Sequence, residues 1–251
     1  MTSYGDFAEV YDRLTENVDY DNMARRIVSI LIENGIDSGL LLDLACGTGT
    51  LISKILSGWK GFELIGADCS SEMLSKAHDK LFKGGHKVLL LCQKMQELDL
   101  YGTVSAAFCT LDSLNHLVLP RELIKTFESL KLFIEPGGLF LFDVNTEYKH
   151  REILAGSTFV YELDDIFCVW QNSADTDNLL TEISLDVFIE QKGGLFKRFS
   201  ESFSERAYSA EFLSNALEKS GFTIIGRYDG YSDKAPGKET QRVLYVTRRR
   251  K

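Results

Sequence analysis

"LLDLACGTGTL", residues 41–51, joins an apolar run to two glycines that are separated by one residue. The apolar run predicts a strand that is buried on both faces of a parallel sheet, although it contains one acid, Asp43. Gly47 and Gly49 permit a tight turn after the strand and a close approach of a ligand to the bare backbone. A strand-to-helix turn that binds nothing would also explain the glycines, so this motif alone does not predict a ligand.

Strands and helices alternate on both sides of this turn. The helical spacing of Ile27, Ile30 and Leu31 predicts a helix over residues 20–34, which Gly35 would end. Further helices are predicted after the first, second and fourth strands, and apolar strands that alternate with helices indicate a parallel sheet between two helical layers. The five strands predicted in this part of the chain lie within "GLLLDLAC", "FELIGAD", "KVLLLC", "VSAAFCT" and "LFLFDVN".

The pattern changes after residue 147. Residues 148–208 contain four strand-like segments without intervening helices, and the turn sequences "ADTDN" and "KGG" separate some of them. These segments predict an antiparallel β insertion. One helix and two strands follow it and are predicted to complete the α/β core. We therefore predict an α/β protein in which residues 1–147 and 209–251 form a doubly wound, mostly parallel sheet of seven strands, with an inserted antiparallel subdomain.

Composition and charge narrow the class of partner. The chain has 251 residues, a net charge of −9 and a pI of about 5.1. Such an acidic chain is poorly suited to a phosphate backbone, so we expect no nucleic-acid partner, and the basic run "RRRK", residues 248–251, is predicted to be a solvated tail. The N-terminal sequence lacks a signal peptide and no apolar run approaches the length of a membrane helix, so we predict a cytoplasmic protein without a membrane partner.

The five cysteines give no support for a metal site. None forms a C-x-x-C pair, and an odd number of cysteines argues against a disulfide framework. No histidine and carboxylate cluster has metal-ligand spacing either, so we expect no metal.

Asp68 ends the second predicted strand, some 20 residues after the glycines, in "LIGADCSSEML". An acid at this distance can accept hydrogen bonds from the hydroxyls of an adenosine ribose. The alternative role is an N-cap for the next helix, but Ser70 and Ser71 already offer one. Ile52 replaces the third glycine of a dinucleotide fingerprint and no P-loop is present, so a ligand without phosphates, such as S-adenosylmethionine, fits better.

The segments "LLDLACGTGTL", "GADCSSEML", "CTLDSLNHL" and "PGGLFLFDV" resemble the successive motifs of class I S-adenosylmethionine-dependent methyltransferases, which have a Rossmann-like fold. The resemblance covers residues 4 to about 147, and "ALEKSGF" is similar to the start of the last helix and strand pair of the family. "YGDFAEVYD" and the insertion resemble the small-molecule branch, including sugar N-methyltransferases and relatives of glycine N-methyltransferase. The resemblance implies in-line methyl transfer to a nitrogen or an oxygen of a small-molecule acceptor.

The resemblance also implies a set of cofactor-binding residues. Asp43 would lie beneath the methionine end of S-adenosylmethionine and orient its ammonium, directly or through water, and Asp68 would bind the ribose. Tyr11 would lie over the site as part of a lid. The other expected contacts come from the glycine turn and from the ends of the second and fourth strands: Ala45, Gly47, Gly49, Cys69, Met73, Leu111 and Asp112.

Lys94 departs from the pattern of the family. An acid after the third strand often accepts a hydrogen bond from the adenine amine, whereas lysine has only donors. We expect adenine to be held by backbone groups near Met95, by apolar contact with Met95, or by Gln93 or Gln96. The charge of Lys94 would then extend into solvent.

The segment "LDSLNHL" supplies the candidate catalytic residues. His116 is a candidate base or acceptor-orienting group because an imidazole titrates near neutral pH, and Asn115 lies beside it. Asp143 and Asn145, in "DVNT", are expected to face the same crevice. The alternative for His116 is a packed side chain whose ring nitrogens are already hydrogen-bonded. The alternative for Asp143 and Asn145 is that they only cap the end of the strand.

Three further interpretations stay open. The aromatic-rich insertion could be the inner face of a small sheet, a wall of the acceptor pocket or the contact face of a homodimer. The chain could also be a non-catalytic binder or sensor of an adenosyl ligand. A nicotinamide-dependent oxidoreductase is the third alternative, and Ile52 disfavours it.

Overall fold

A computed structural model describes residues 6–251 and arranges their strands in two sheets. In chain order the strands are β1 (Gly39–Leu44), β2 (Phe62–Asp68), β3 (Leu89–Cys92), β4 (Val104–Cys109), β5 (Ile134–Asn145), β6 (Thr158–Glu162), β7 (Ile166–Asp175), β8 (Leu180–Gln191), β9 (Leu195–Arg206), β10 (Phe222–Asp229) and β11 (Arg242–Arg249).

The larger sheet has seven strands in the order β10-β11-β5-β4-β1-β2-β3, and the smaller sheet has the order β6-β7-β8-β9. In the larger sheet β1 to β5 run parallel, and β11 pairs antiparallel with both β5 and β10. All pairs of the smaller sheet are antiparallel. The predicted fold class, a mostly parallel seven-stranded sheet with an antiparallel addition, is therefore confirmed.

Six α-helices lie among the described residues: α1 (Tyr11–Leu14), α2 (Tyr20–Glu33), α3 (Thr50–Gly58), α4 (Ser71–Lys83), α5 (Pro120–Phe133) and α6 (Ala210–Lys219). The side chains of Asp19, Ser70 and Ser209 cap α2, α4 and α6 by accepting a hydrogen bond from a backbone N–H of the first turn. None of these helices has the combination of length and apolar composition that crossing a bilayer requires.

Alternation along each central strand fills two apolar layers, one on each face of the larger sheet. On β1, Leu42 and Leu44 join the layer that contains Phe127 of α5, whereas Leu41 joins the layer that contains Ile27 of α2. All these side chains are almost completely buried. Burial of each contributes about 1.5–3 kcal/mol relative to exposure, which explains why β1 is apolar on both sides of Asp43.

The topology brings the functional region to one edge of the larger sheet. The carboxyl ends of β1, β2, β4 and β5 lie at the same edge because these strands are parallel. Since β11 is antiparallel to β5, its first residue, Arg242, lies opposite the last residue of β5, Asn145. A basic residue from late in the chain thus reaches the edge where ligands bind in sheets of this type.

The predicted solvated tail at the C-terminus is wrong. Arg248 and Arg249 continue β11, and the guanidinium of Arg248 donates to the carbonyl oxygen of Gly137 at 2.9 Å and to Oδ1 of Asn34 at 2.7 Å. Arg249 donates to the carbonyl oxygen of Ile134. The basic run is thus used to satisfy carbonyl groups at the amino end of β5, and a charge count alone does not reveal these partners.

We predict that Gly138→Ala destabilises the fold. A Cβ at Gly138 would lie 2.5 Å from the carbonyl oxygen of Ser105 and 3.0 Å from that of Glu135, where β4 and β5 pack closely. This overpacking should lower the free energy of unfolding by about 1–3 kcal/mol, and urea denaturation measures the change. Gly58→Ala is the control, because a Cβ there has no atom within 4 Å. An equal effect of both substitutions would contradict the packing argument.

Candidate functional site

The glycine turn after β1 uses its two glycines differently. Both have positive φ angles, 53° at Gly47 and 73° at Gly49. A Cβ at Gly47 would have no atom within 4 Å, whereas a Cβ at Gly49 would lie 3.1 Å from Cβ of Ala77 on α4. Gly47 therefore leaves open space at the crevice, and Gly49 lets the start of α3 pack closely against α4.

Asp43 is a buried acid with an unused acceptor. Its side chain is 2% exposed, and within residues 6–251 its Oδ1 has no hydrogen-bond partner. Burial, and then the charge of Asp68, raise the pKa of Asp43 well above its ordinary value. An unpaired buried carboxylate is costly, so a cation bound against it would stabilise its charged form. This arrangement fits the ammonium of the expected cofactor.

A cavity of about 30 Å³ lies above Asp43, roughly the space of one water molecule. Five of the residues predicted for the site line it: Tyr11, Asp43, Ala45, Gly47 and Leu111. The sequence analysis did not identify seven other lining residues, because no spacing rule marks them: Tyr20, Cys46, Thr48, Thr50, Leu51, Thr110 and Ser113.

Asp68 fastens the glycine turn to β2. Its Oδ2 accepts from the backbone N–H of Gly47 at 2.8 Å, and its Oδ1 accepts from that of Ser70 at 2.9 Å. Burial raises the pKa of Asp68, although these backbone N–H groups act in the opposite direction. The backbone N–H of Cys69 is a third donor to this carboxylate. Binding of ribose hydroxyls by Asp68 stays a prediction.

The residues predicted beside Asp68 and after β3 lie outside the small cavity. Cys69 is exposed, whereas Met73 is buried against the smaller sheet and residues 7–10. Met95 begins a 3-10 turn, Met95–Glu97, and its sulfur lies 3.9 Å from that of Cys109. Lys94 is exposed and forms no ion pair with any residue in the described part of the chain, as expected if its charge extends into solvent.

Residues 6–19, which we call the N-terminal strap, lie across the site and contact the smaller sheet. Phe7 and Val10 pack with Ile166 and other buried residues of that sheet. Arg13 pairs with Asp165 in the turn between β6 and β7. The position of Tyr11 above the cavity therefore depends on the strap and on the smaller sheet together.

Asp12 connects the strap to the glycine turn. Its Oδ1 accepts from the hydroxyl of Thr48 at 2.6 Å and from that of Thr50 at 3.2 Å. Nζ of Lys80 on α4 lies 2.7 Å from the carboxylate of Asp12 and also donates to both threonine hydroxyls. We call these four side chains the latch, because they hold the strap closed over the turn.

The turn after β4 is held from beneath by Asp143. Leu111 and Asp112 have φ angles of 54° and 53°, a conformation that side chains disfavour. Their N–H groups donate to the two carboxylate oxygens of Asp143 at 2.9 and 2.7 Å, and Tyr231 and Arg242 also donate to this carboxylate. The expectation that Asp143 faces the crevice is wrong, because all these bonds turn it toward the protein interior.

Asn115 is fully buried, and its side-chain amide forms hydrogen bonds with backbone groups. Its Nδ2 donates to the carbonyl oxygens of Asn145 and Arg206 at 3.3 and 2.8 Å, and its Oδ1 accepts from the N–H of Asn145 at 2.9 Å. Asn115 therefore joins the ends of β5 and β9. This geometry corrects its predicted catalytic role, because these bonds occupy the amide within the protein interior.

Asp112, with a side chain 17% exposed, and Glu205, with a side chain 3% exposed, form an acid pair across Asn145. Nδ2 of Asn145 donates to Asp112 at 3.0 Å and to Glu205 at 3.2 Å. Burial would raise the pKa of Asp112, but the charges of Arg242 and Lys149 hold it below its ordinary value. Burial, and then the charge of Asp112, raise the pKa of Glu205 to about 8. The side chain of Asp112 is thus turned toward Arg242, at 2.5 Å, and not toward the small cavity.

Two histidines lie against this pair. Nε2 of His116 lies 3.9 Å from Glu205, and Nε2 of His150 lies 3.7 Å from its other oxygen. Burial lowers the pKa of His116, and the charge of Asp112 offsets part of this shift. Burial, and then the charge of Lys149, lower the pKa of His150 to about 4. Both imidazoles are therefore neutral at pH 7. Glu205 and His150 were not identified from the sequence.

The aromatic residues of the insertion divide between the two faces of the smaller sheet. One face packs against the core and carries Tyr161, Trp170, Phe199 and Phe203. The ring of Phe203 lies 4.9 Å from that of His116. Phe167, Phe188 and Phe196 lie on the opposite face, where Phe196 is 57% exposed. The inner-face interpretation therefore holds for part of these aromatic residues, and contact of the outer face with a second copy stays a prediction.

The described residues contain no group of three or more His, Cys, Asp or Glu side chains that could hold a metal ion.

Known proteins resemble the chain over its whole length. Residues 41–138 match the family described as "Methyltransferase domain". The chain is 33% identical to the Bacillus subtilis protein YqeM, provisionally named a methyltransferase, over 99% of this chain and 98% of YqeM. A solved structure of an S-adenosylmethionine-dependent methyltransferase from Clostridium acetobutylicum is 32% identical, covers 99% of both chains and has a TM-score of 0.89.

More distant relatives carry more specific names. The glycine/sarcosine N-methyltransferase of Halorhodospira halochloris is 28% identical over 53% of this chain and 50% of its own length. CalS10 from Micromonospora echinaspora, an amino pentose methyltransferase solved with S-adenosylmethionine bound, covers 99% of this chain and 98% of its own with a TM-score of 0.76. At 18% identity, the CalS10 structure supports the fold alone.

We predict that Asp12→Asn speeds release of the cofactor product S-adenosylhomocysteine. The substitution removes the charge that pairs with Lys80, and a part-exposed pair contributes about 0.2–1 kcal/mol. We expect the dissociation rate to rise about two- to fivefold in stopped-flow fluorescence. Asp21→Asn is the control, because it breaks the exposed pair of Asp21 with Lys54 at 2.9 Å outside the latch. Equal dissociation rates in wild type and Asp12→Asn would contradict a closed latch.

Proposed function

The chain belongs to the class I S-adenosylmethionine-dependent methyltransferases, and on this basis we propose that it methylates an amine nitrogen of a small molecule. The observation that carries the choice of an amine is the group of Asp112, Glu205 and His116. It places two carboxyl groups within reach of Asn145 and an imidazole 27% exposed beside Glu205, and such an imidazole can take the proton of an ammonium. The partial relatedness to a glycine/sarcosine N-methyltransferase supports the same class of acceptor.

The residues around the small cavity fit the methionine end of the cofactor. S-adenosylmethionine, when bound, supplies a methyl group on a positively charged sulfur that an acceptor can displace in line. Asp43 would hold the ammonium with its unpartnered Oδ1, and Gly47 would leave room for the ligand against the backbone. Tyr11 would cover the methionine end from the strap, and Asp68 would bind the ribose beside the glycine turn.

We assign different tasks to the three residues predicted as catalytic. His116, with a side chain 27% exposed, would take the proton of the acceptor amine. Tyr11 would exclude water from the cavity that it lines. Asn115 would be a positioning residue that holds the ends of β5 and β9 together beneath His116.

The proposal is tested with a panel of small amines and matched alcohols. We would incubate the purified protein with S-adenosylmethionine and amino acids, amino sugars or their hydroxyl analogues. Methylated product would be identified by mass spectrometry and S-adenosylhomocysteine would be quantified. The expected result is methylation of at least one amine and of none of the matched alcohols, with loss of cofactor binding in Asp43→Ala. Methylation of alcohols only would refute the amine proposal, and cofactor binding without any transfer would favour the non-catalytic binder.

We predict that Lys94→Asp tightens binding of S-adenosylmethionine. The lysine offers no acceptor to the adenine amine, whereas an aspartate there would add one acceptor, with a net effect of about 0.5–1.5 kcal/mol. Calorimetric titration of both proteins measures the difference, and Lys94→Met controls for loss of the positive charge. Weaker binding by Lys94→Asp would mean that the lysine stabilises the loop after β3 through its charge.

A further inference from the structure

We propose that Glu205, on the last strand of the smaller sheet, is the positioning residue that makes His116 an effective base for the acceptor amine. This inference rests on the proposed methylation of an amine. It assigns part of the chemistry to a residue of the antiparallel insertion.

The carboxyl group of Glu205 is enclosed by polar side chains, and it shares a hydrogen bond with the carboxylate of Asp112. Its side chain is 3% exposed. Oε1 faces Nε2 of His116 at 3.9 Å, and Oε2 faces Nε2 of His150 at 3.7 Å and Nδ2 of Asn145 at 3.2 Å. An acceptor cannot reach so deeply buried a carboxyl group directly, so any effect of Glu205 on the reaction passes through a neighbouring side chain.

The two permanently charged cations near Glu205, Arg242 and Lys149, bind other side chains. Arg242 binds Asp112 at 2.5 Å and also binds Asp143. Nζ of Lys149 donates to Oδ1 of Asn145 at 3.0 Å. Within residues 6–251, Glu205 has no arginine or lysine nitrogen within ion-pair distance, so its ionised form is opposed by burial and by the nearby charge of Asp112.

His116 is the imidazole that an acceptor can reach. Its side chain is 27% exposed, whereas that of His150 is 2% exposed, and Nδ1 of His150 lies 2.8 Å from the hydroxyl of Thr181. A small rotation would bring Nε2 of His116 from 3.9 Å to hydrogen-bond distance of Glu205, and such bonds often tighten only in the reacting complex. With Nε2–H donating to Glu205, Nδ1 becomes the basic nitrogen.

The acceptor enters as an ammonium, and its positive charge favours loss of the proton of Glu205 to solvent. His116 takes one proton from the ammonium and becomes an imidazolium, which the carboxylate of Glu205 stabilises. The free amine nitrogen forms a bond to the methyl carbon while the carbon–sulfur bond breaks, and the electron pair of that bond stays on sulfur. His116 then releases its proton to solvent.

The same carboxyl group gives the protein a pH-dependent stability. In the unfolded chain Glu205 keeps its proton to about pH 4.5, whereas in the folded chain it keeps it to about pH 8. The folded state binds more protons between these values, so the stability that depends on this proton is present below pH 4.5 and is lost as the pH rises to 8. Glu205→Gln removes this dependence because glutamine stays neutral.

The experiment compares wild type, Glu205→Gln, His116→Gln and the double variant. With the amine that wild type methylates best, we expect kcat of Glu205→Gln to fall at least tenfold while the dissociation constant of S-adenosylhomocysteine stays within twofold. The double variant should be no slower than His116→Gln alone, because Glu205 acts through His116. Glu182→Gln, an exposed change on β8, is the matched control and should behave as wild type.

Thermal unfolding from pH 5 to 9 provides a measurement that needs no acceptor. The melting temperature of wild type should fall relative to that of Glu205→Gln as the pH approaches 8. A constant difference across this range would overturn the inference, as would unchanged kcat in Glu205→Gln or strictly additive losses in the double variant. If wild type methylates no amine, the proposed function itself fails, and the inference about the base fails with it.

Discussion

The guanidinium group of Arg242 lies between the carboxylates of Asp112 and Asp143, and the edge of the site depends on this arrangement. Asp143 is completely buried, and it also accepts from the N–H groups of Leu111 and Asp112. Without a cation, a fully buried acid and a part-buried acid on the same side of this edge would repel each other, and one of them would take up a proton. Arg242 thus allows the left-handed turn after β4 to exist, and this turn lines the cavity.

That cation comes from the antiparallel strand at the end of the chain. Because β11 runs opposite to β5, its first residue lies at the ligand-binding edge, and no parallel strand would present its first residue there. The reversal of one strand therefore has a chemical consequence, since it supplies the positive charge that the other strand ends lack. Asp112 can then remain ionised while Glu205, its neighbour across Asn145, remains protonated.

The sequence predicts the parts of the molecule that depend on local pattern. Apolar runs, capping serines and Gly47 identify the strands, the helix starts and the crevice, because each of these depends on neighbouring residues. Asn115 shows where this reasoning stops: its amide binds the carbonyl oxygen of Arg206, which lies 91 residues away. Glu205 likewise looks like any polar residue of an exposed strand until pairing buries it. Lys80 has no local partner that distinguishes it from other helical lysines, and only the fold brings it to Asp12.

The strap and the smaller sheet form one structural unit although they are distant in the sequence. Arg13 and Asp165, which pair directly, are separated by 152 positions, and Phe7 shares an apolar cluster with Ile166. A chimera that received the insertion of another family member would bring a foreign surface against the native strap. Grafting of acceptor preference between such proteins therefore requires two discontinuous pieces, residues 6–19 and the smaller sheet, to be exchanged as a pair.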